Sequence, residues 1–295
     1  MSDILSILVS TVVLGSIYGL VALGMTLIYG ILRVLDMSQG AMVMIGGFVG
    51  WAVMTSAGLS PVLAILAAFV VTFCFGVLTQ TVTVQPLIGR RGTDFEMITF
   101  ITTFAAAMIL ANLALQFFGP RQRNVPQLLD GSIHLYESVS LPYQSILMTA
   151  IAVGIMVAFA LFLTRSRYGI AIRAVAQDID AARLMGVPIR RVFPLVMGFA
   201  SAIAGVAGVF LATQYFASPT AGDQPLLLAL IVVIFGGLGS LQGAIAAAYV
   251  IGLVQAAASV YVSTTWALPI LYAVILVVLI IRPRGIAGRS LEARL

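Results

Sequence analysis

From Leu8 to Ile281 the sequence is a succession of apolar stretches, most of them about twenty residues long, separated by short polar or glycine-rich breaks. They run Leu8 to Tyr29, Ala41 to Ala57, Pro61 to Val84, Met97 to Phe118, Leu141 to Thr164, Val192 to Tyr215, Leu226 to Phe235, Leu241 to Tyr261 and Leu268 to Ile281. A helix rising 1.5 Å per residue needs about 20 residues to cross roughly 30 Å of hydrocarbon. The expected fold is therefore all-α and polytopic, with about eight or nine transmembrane helices, two candidates being too short or too glycine-rich to count as full spans. Charged residues make up 8% of the chain, against about 25% in soluble domains, and no polar stretch is long enough for a second folded unit. Residues 1–295 are read as a single transmembrane domain.

The break between Leu141–Thr164 and Val192–Tyr215 differs in kind. Arg165 to Arg191 reads RSRYGIAIRAVAQDIDAARLMGVPIRR and holds six of the fifteen arginines against two carboxylates, Asp178 and Asp180. Such a segment faces water, and its arginine excess assigns it to the cytoplasmic side. Counting spans from there puts Arg90, Arg91, Arg282, Arg284, Arg289 and Arg294 inside and the arginine-free N-terminus outside. Arg121 and Arg123, in the outer loop Gly119 to Ser140, run against this bias beside Asp130 and Glu137. The opening MSDILSILVS lacks a basic region and is read as the start of the first span, not as a cleaved signal peptide.

Absences narrow the chemistry. Every basic residue is arginine, so the chain has no GxxxxGK[ST] phosphate loop, and any ATP would be hydrolysed by a partner. The lone Cys74 excludes an internal disulfide, and the lone His134 excludes paired-histidine metal motifs. Cys74 reads as a small packed residue of a span and His134 as a loop residue. No catalytic constellation points to a membrane enzyme. The net charge of +5 follows the topology and is not a nucleic-acid footprint.

Two segments echo each other. IYGILRVLDMSQGAMVMIGG (Ile28 to Gly47) and IFGGLGSLQGAIAAAYVIG (Ile234 to Gly252) each open on Ile-aromatic-Gly, centre on Gln-Gly-Ala and end in a small-residue helix. Unwound backbone at corresponding places in two halves points to a transport site near the bilayer midplane. Tight turns between short, closely packed helices would leave the same pattern.

Within the arginine-rich insertion, Gln177 to Met185 is predicted to be helical, with Asp178 and Asp180 near its start, Arg183 near its end, and Gly186 and Pro188 stopping it. Ile179, Ala182 and Met185 fall on one face by three-residue spacing. That stripe is expected to stay uncovered by the chain's own short loops and to suit a groove in another protein. A helix lying on anionic lipid has the same signature.

The sequence resembles the LivH/LivM class of ABC-transporter permeases for branched-chain amino acids, nearer the LivH side, over almost its whole length. DAARLMG (Asp180 to Gly186) is similar to the EAA-x-x-x-G coupling signature of importer permeases. SRYGIAIRAVAQD (Ser166 to Asp178), GLVALGMTLIYGILRVLDMSQG (Gly19 to Gly40) and VIFGGLGSLQGAIAAA (Val233 to Ala248) look like the family's other recurrent stretches. The chain departs from it where the family usually has Asn-Phe-Ala-His-Gly-Glu and Asp36-Met37-Ser38-Gln39-Gly40-Ala41 stands here, a difference that bears on the solute's charge or size.

The resemblance implies an ABC-importer permease fold and a bacterial inner-membrane location, with the C-terminus cytoplasmic and the N-terminus periplasmic. It implies as partners a second, LivM-like permease, two ATP-binding subunits that hold ATP and Mg, and a periplasmic solute-binding protein. No cofactor is expected in this chain itself. Coupling to the ATPases is assigned to Arg173, Asp178, Asp180, Ala181, Ala182, Arg183 and Gly186 in a cytoplasmic loop, residues 165–191. The solute pathway is assigned to Asp36, Gln39, Gly236, Gly237, Gly239 and Gln242, where helix-break N–H groups and side-chain amides can hold a carboxylate, ammonium or amide. The alternative is an ion-coupled carrier or a channel. Against it stands the scarcity of ionisable groups near the midplane, Arg33 and Asp36 alone.

Overall fold

The computed structural model describes residues 2–87, 95–129, 131–136 and 139–281. Arg90, Arg91, Arg282, Arg284, Arg289, Arg294, Asp130 and Glu137, used above for orientation, lie outside the described residues. The helices are α1 (Ser2–Leu32), α2 (Gln39–Trp51), α3 (Pro61–Thr79), α4 (Phe95–Phe118), α5 (Tyr143–Arg165), α6 (Arg167–Gln177), α7 (Ile179–Leu184), α8 (Ile189–Gln214), α9 (Asp223–Gly236), α10 (Leu241–Tyr261) and α11 (Thr264–Ile281). Wider π-type turns lengthen α2 through Ala52–Ser56 and α3 through Gln80–Val84. The outer loop contains an antiparallel hairpin, β1 (Ser132–Tyr136) and β2 (Val139–Pro142), which the sequence reading did not foresee.

Eight of these helices are long and apolar enough to span a bilayer. The apolar stretch Leu226 to Phe235 becomes α9, whose 14 residues reach only about 21 Å. Leu268 to Ile281 gains a turn at Thr264 and reaches 18 residues, so it counts as a span.

Since lipid and protein interior are equally apolar, helix positions are sorted by side-chain size and not by a polar face. The centre is α8, 83% buried over its most apolar window and lined by Gly198, Ala200, Ser201, Ala204, Gly205 and Gly208. At its crossing with α2, Gly46 faces the Gly205 backbone and Gly208 faces the Val43 carbonyl, so the two backbones meet without intervening side chains. On its other side α8 packs on α3, with Gly205 against Thr72. α1 and α10 pair through Gly15 and Gly252, joined by a Tyr18 hydroxyl that donates to Gln255 Oε1 at 2.8 Å. α4 and α11 lie at the periphery, each 17% buried.

Candidate functional site

The arginine-rich insertion folds as an elbow of two capped helices. Ser166 caps α6, its Oγ accepting from the Gly169 N–H at 2.8 Å. Gly169 lies so close to the Phe162 and Leu163 carbonyls that no Cβ fits. Arg173 reaches back from α6 and donates from Nη2 to the Thr164 carbonyl at 3.3 Å, tying the elbow to the end of α5. Asp178 closes one helix and opens the next: its N–H donates to the Ala174 carbonyl, and its Oδ1 accepts from the N–H groups of Asp180 (2.8 Å) and Ala181 (3.0 Å). α7 ends in a Schellman motif, with Val187 N–H to Ala182 carbonyl, Gly186 N–H to Arg183 carbonyl, and Gly186 at φ +85°.

The sequence placed one helix over Gln177 to Met185; there are two, with Gln177 ending α6 and Met185 already outside α7. The expected outward stripe is corrected accordingly. Ala182 is buried, and Ile179 packs half-buried against the chain's own core. Met185 has left helical geometry at ψ 6°, so the three-residue spacing from Ala182 no longer places it on that face. It projects instead with Leu184, the two being 85% and 88% exposed. Leu184 was missed; its signal was a position just before a glycine stop in a helix too short to cover it. Asp180, Ala181 and Arg183 are exposed around this tip.

The second candidate region is the break between α1 and α2. Arg33 takes φ 57° after Leu32, and the chain doubles back so far that Gln39 Oε1 lies 3.4 Å from where a Cβ on Gly24 would stand, about two turns up α1. Asp36 and Gln39 are buried in this re-entrant turn. The Asp36 carboxylate accepts from Ser38 N–H and Ser38 Oγ, both at 2.9 Å, and from Gln39 Nε2 at 3.4 Å, so its partners all lie within three residues and it organises the start of α2. The other break packs onto the first: Gly237 and Gly239 take φ 98° and 81°, a Cβ on Gly239 would lie 3.4 Å from Gly30 Cα, and Gly236 abuts the Gly243 backbone. Gln242 is exposed. The two echoing segments are thus neighbours in space. A cavity of about 100 Å³ opens beside the first break, but its wall is formed by Met37, Gly40, Ala41 and Met44, together with residues of α4 and the start of α9, and by neither Asp36 nor Gln39.

Asp36→Ala removes the acceptor for these short-range bonds and leaves buried donors unpaired. It is expected to destabilise the protein by about 2–3 kcal/mol, read as a lower melting midpoint in detergent.

A bundle of apolar spans with unwound backbone doubled into its centre and a capped, charged elbow at one end defines a multi-pass membrane permease. The chain belongs to the family described as the branched-chain amino acid transport system, permease component, whose model matches residues 7–280. It is 30% identical to the high-affinity branched-chain amino acid transport system permease protein BraD of Pseudomonas aeruginosa, over 96% of this chain and 95% of that one. It is 29% identical to LivH, the permease protein of the corresponding system of Escherichia coli, over 94% and 93%. A probable LivH of Methanocaldococcus jannaschii is 26% identical over 96% and 92%. Among solved structures, PsaBC from Streptococcus pneumoniae in complex with Fab shares the fold, with a TM-score of 0.50 and 15% identity over 96% of this chain and 93% of that one.

Proposed function

We propose that this chain is the membrane-spanning subunit of an ATP-driven importer for branched-chain or related amino acids, or for similar small amide or carboxylate solutes. It would pair with a second, related permease in a bacterial inner membrane, receive solute from a periplasmic binding protein and be driven by two cytoplasmic subunits that bind ATP and Mg²⁺. The elbow is then cytoplasmic, with the N-terminus on the periplasmic side.

The observation that carries this reading is the exposed Leu184–Met185 tip on an elbow that cannot flex freely. ATP-driven closure of a partner has to arrive as a rigid displacement. Asp178 and the Gly186 motif fix both ends of α7, Arg173 ties α6 to α5, and Ala182 seats α7 on the core, so force applied at Leu184 passes into α5 and α8. Asp180, Ala181 and Arg183 surround the tip as polar and small contacts.

The deciding experiment is uptake of labelled leucine into proteoliposomes. ATP-dependent uptake by the full assembly, and none by this chain alone, supports the proposal; solute flux through the chain without ATPase partners would instead establish a channel or self-sufficient carrier. A Cβ at Gly186 meets no neighbour within 4 Å, but Gly186→Leu forces a side chain into left-handed backbone, a strain of about 1–2 kcal/mol at the elbow. Uptake by that variant is expected to be abolished while its melting midpoint falls by only a few degrees.

A further inference from the structure

We propose that the cavity between α2, α4 and α9 is a solute subsite, in which Met37, Met44, Met108 and Leu226 hold the apolar side chain of an amino acid while Asp223 holds its ammonium group. This rests on the transport reading and specifies where, and by what chemistry, the solute is held.

The cavity exists because two helix starts converge on glycines. A Cβ on Gly40 would sit 2.9 Å from the Gly222 carbonyl oxygen and 3.1 Å from Leu226 Cβ, so larger residues at this junction would close the space. α4 is held as the facing wall by Thr103, whose Oγ1 accepts from the Met37 N–H at 3.3 Å. The site therefore lies at the re-entrant turn, where unwound backbone meets a short helix that does not span the membrane.

Its lining discriminates. About 100 Å³ is the space of about three waters at roughly 30 Å³ each, room for a branched aliphatic side chain, with the charged end of the amino acid at the open rim beside the exposed Asp223. Most of the wall is apolar, and its methionines are unbranched and polarisable, able to fit branched side chains of differing shape. Asp223 is the one titratable side chain in that wall among the described residues. A carboxylate bordering apolar surface attracts an ammonium by a charge-assisted hydrogen bond and repels a solute that carries only a carboxylate. Phe104 and Met108 are each about half exposed, so the cavity is not closed over along α4.

The test uses the detergent-purified assembly with Ala107→Cys, a lining position given no part in holding the solute, placed in a Cys74→Ser background, Cys74 lying on α3 outside the cavity. Leucine is expected to slow modification at position 107 by a water-soluble thiol reagent. Isocaproate, with the same side chain and no ammonium, is expected not to. Adding Asp223→Asn should raise the leucine concentration for half-protection by about tenfold or more, and Asp223→Glu should restore part of the effect. Labelling blind to leucine, equal protection by isocaproate, or an unchanged leucine dependence in Asp223→Asn overturns the subsite. Should Asp223→Asn fail to assemble, the leucine–isocaproate comparison decides. ATP-driven leucine uptake by the unmodified assembly is measured in parallel: uptake without protection defeats the subsite alone, whereas absent uptake defeats the transport reading.

Discussion

Leu184→Asp is expected to cut ATP-driven leucine uptake by the assembled transporter at least about tenfold while leaving the melting midpoint of the isolated chain unchanged. The two halves follow from one fact: Leu184 is 88% exposed and supports nothing within its own chain. Burying a leucine side chain against a partner contributes about 1.5–3 kcal/mol, and replacing it by a carboxylate both removes that contribution and opposes desolvation of the new charge. Loss of coupling at that scale corresponds to a factor of ten or more. Affinity for the ATPase subunits, measured by co-purification, should fall with uptake. Normal uptake by Leu184→Asp would place the drive elsewhere than at α7.

Gly46→Leu is expected to be the most disruptive single change in the membrane region. Any Cβ at position 46 overlaps the Gly205 backbone, and backbone cannot rotate away as a side chain can. Nor can α8 retreat, since its opposite face is held by α3, with Thr72 against the same Gly205. Overpacking in a yielding core costs about 1–3 kcal/mol; here two fixed backbones must separate, so a loss beyond that range is expected, against a total stability of about 5–15 kcal/mol. Gly46→Leu should therefore fail to accumulate in membranes or should melt far below the parent. Gly154→Leu on α5, where nothing lies within 4 Å, is the control and should change stability by no more than about 0.5 kcal/mol. Similar yields and melting curves for the two variants would show that the α2–α8 crossing is not as tight as described.

The elbow shows where local sequence suffices and where it fails. Asp178 and Gly186 announce a helix start and stop through chemistry confined to a few residues, and the structure places a cap and a Schellman turn there. Which face of α7 is covered depends on what the helix sits upon, and three-residue spacing could not tell that Ala182 would be buried and Leu184 left outside. The central break behaves likewise. Its glycine-rich pattern marked a segment that is unwound in the structure, yet in a turn that doubles back successive side chains diverge, so Asp36 and Gln39 turn inward while Met37 borders the cavity. Asp223 carried no signal at all, because it reaches that cavity from far along the chain.

The sequence by itself determined that this protein crosses the membrane many times, where the crossings fall, and that one arginine-rich elbow between α5 and α8 must stay in water, since the hydrophobic effect and the cost of buried charge act on composition over about twenty residues at a time. Only the tertiary structure decided that the two glycine breaks touch and which side chains border a cavity. Those outcomes depend on how closely helices from distant parts of the chain approach, and between uniformly apolar surfaces that approach is set by side-chain volume and backbone contact at each crossing, which no periodic pattern records.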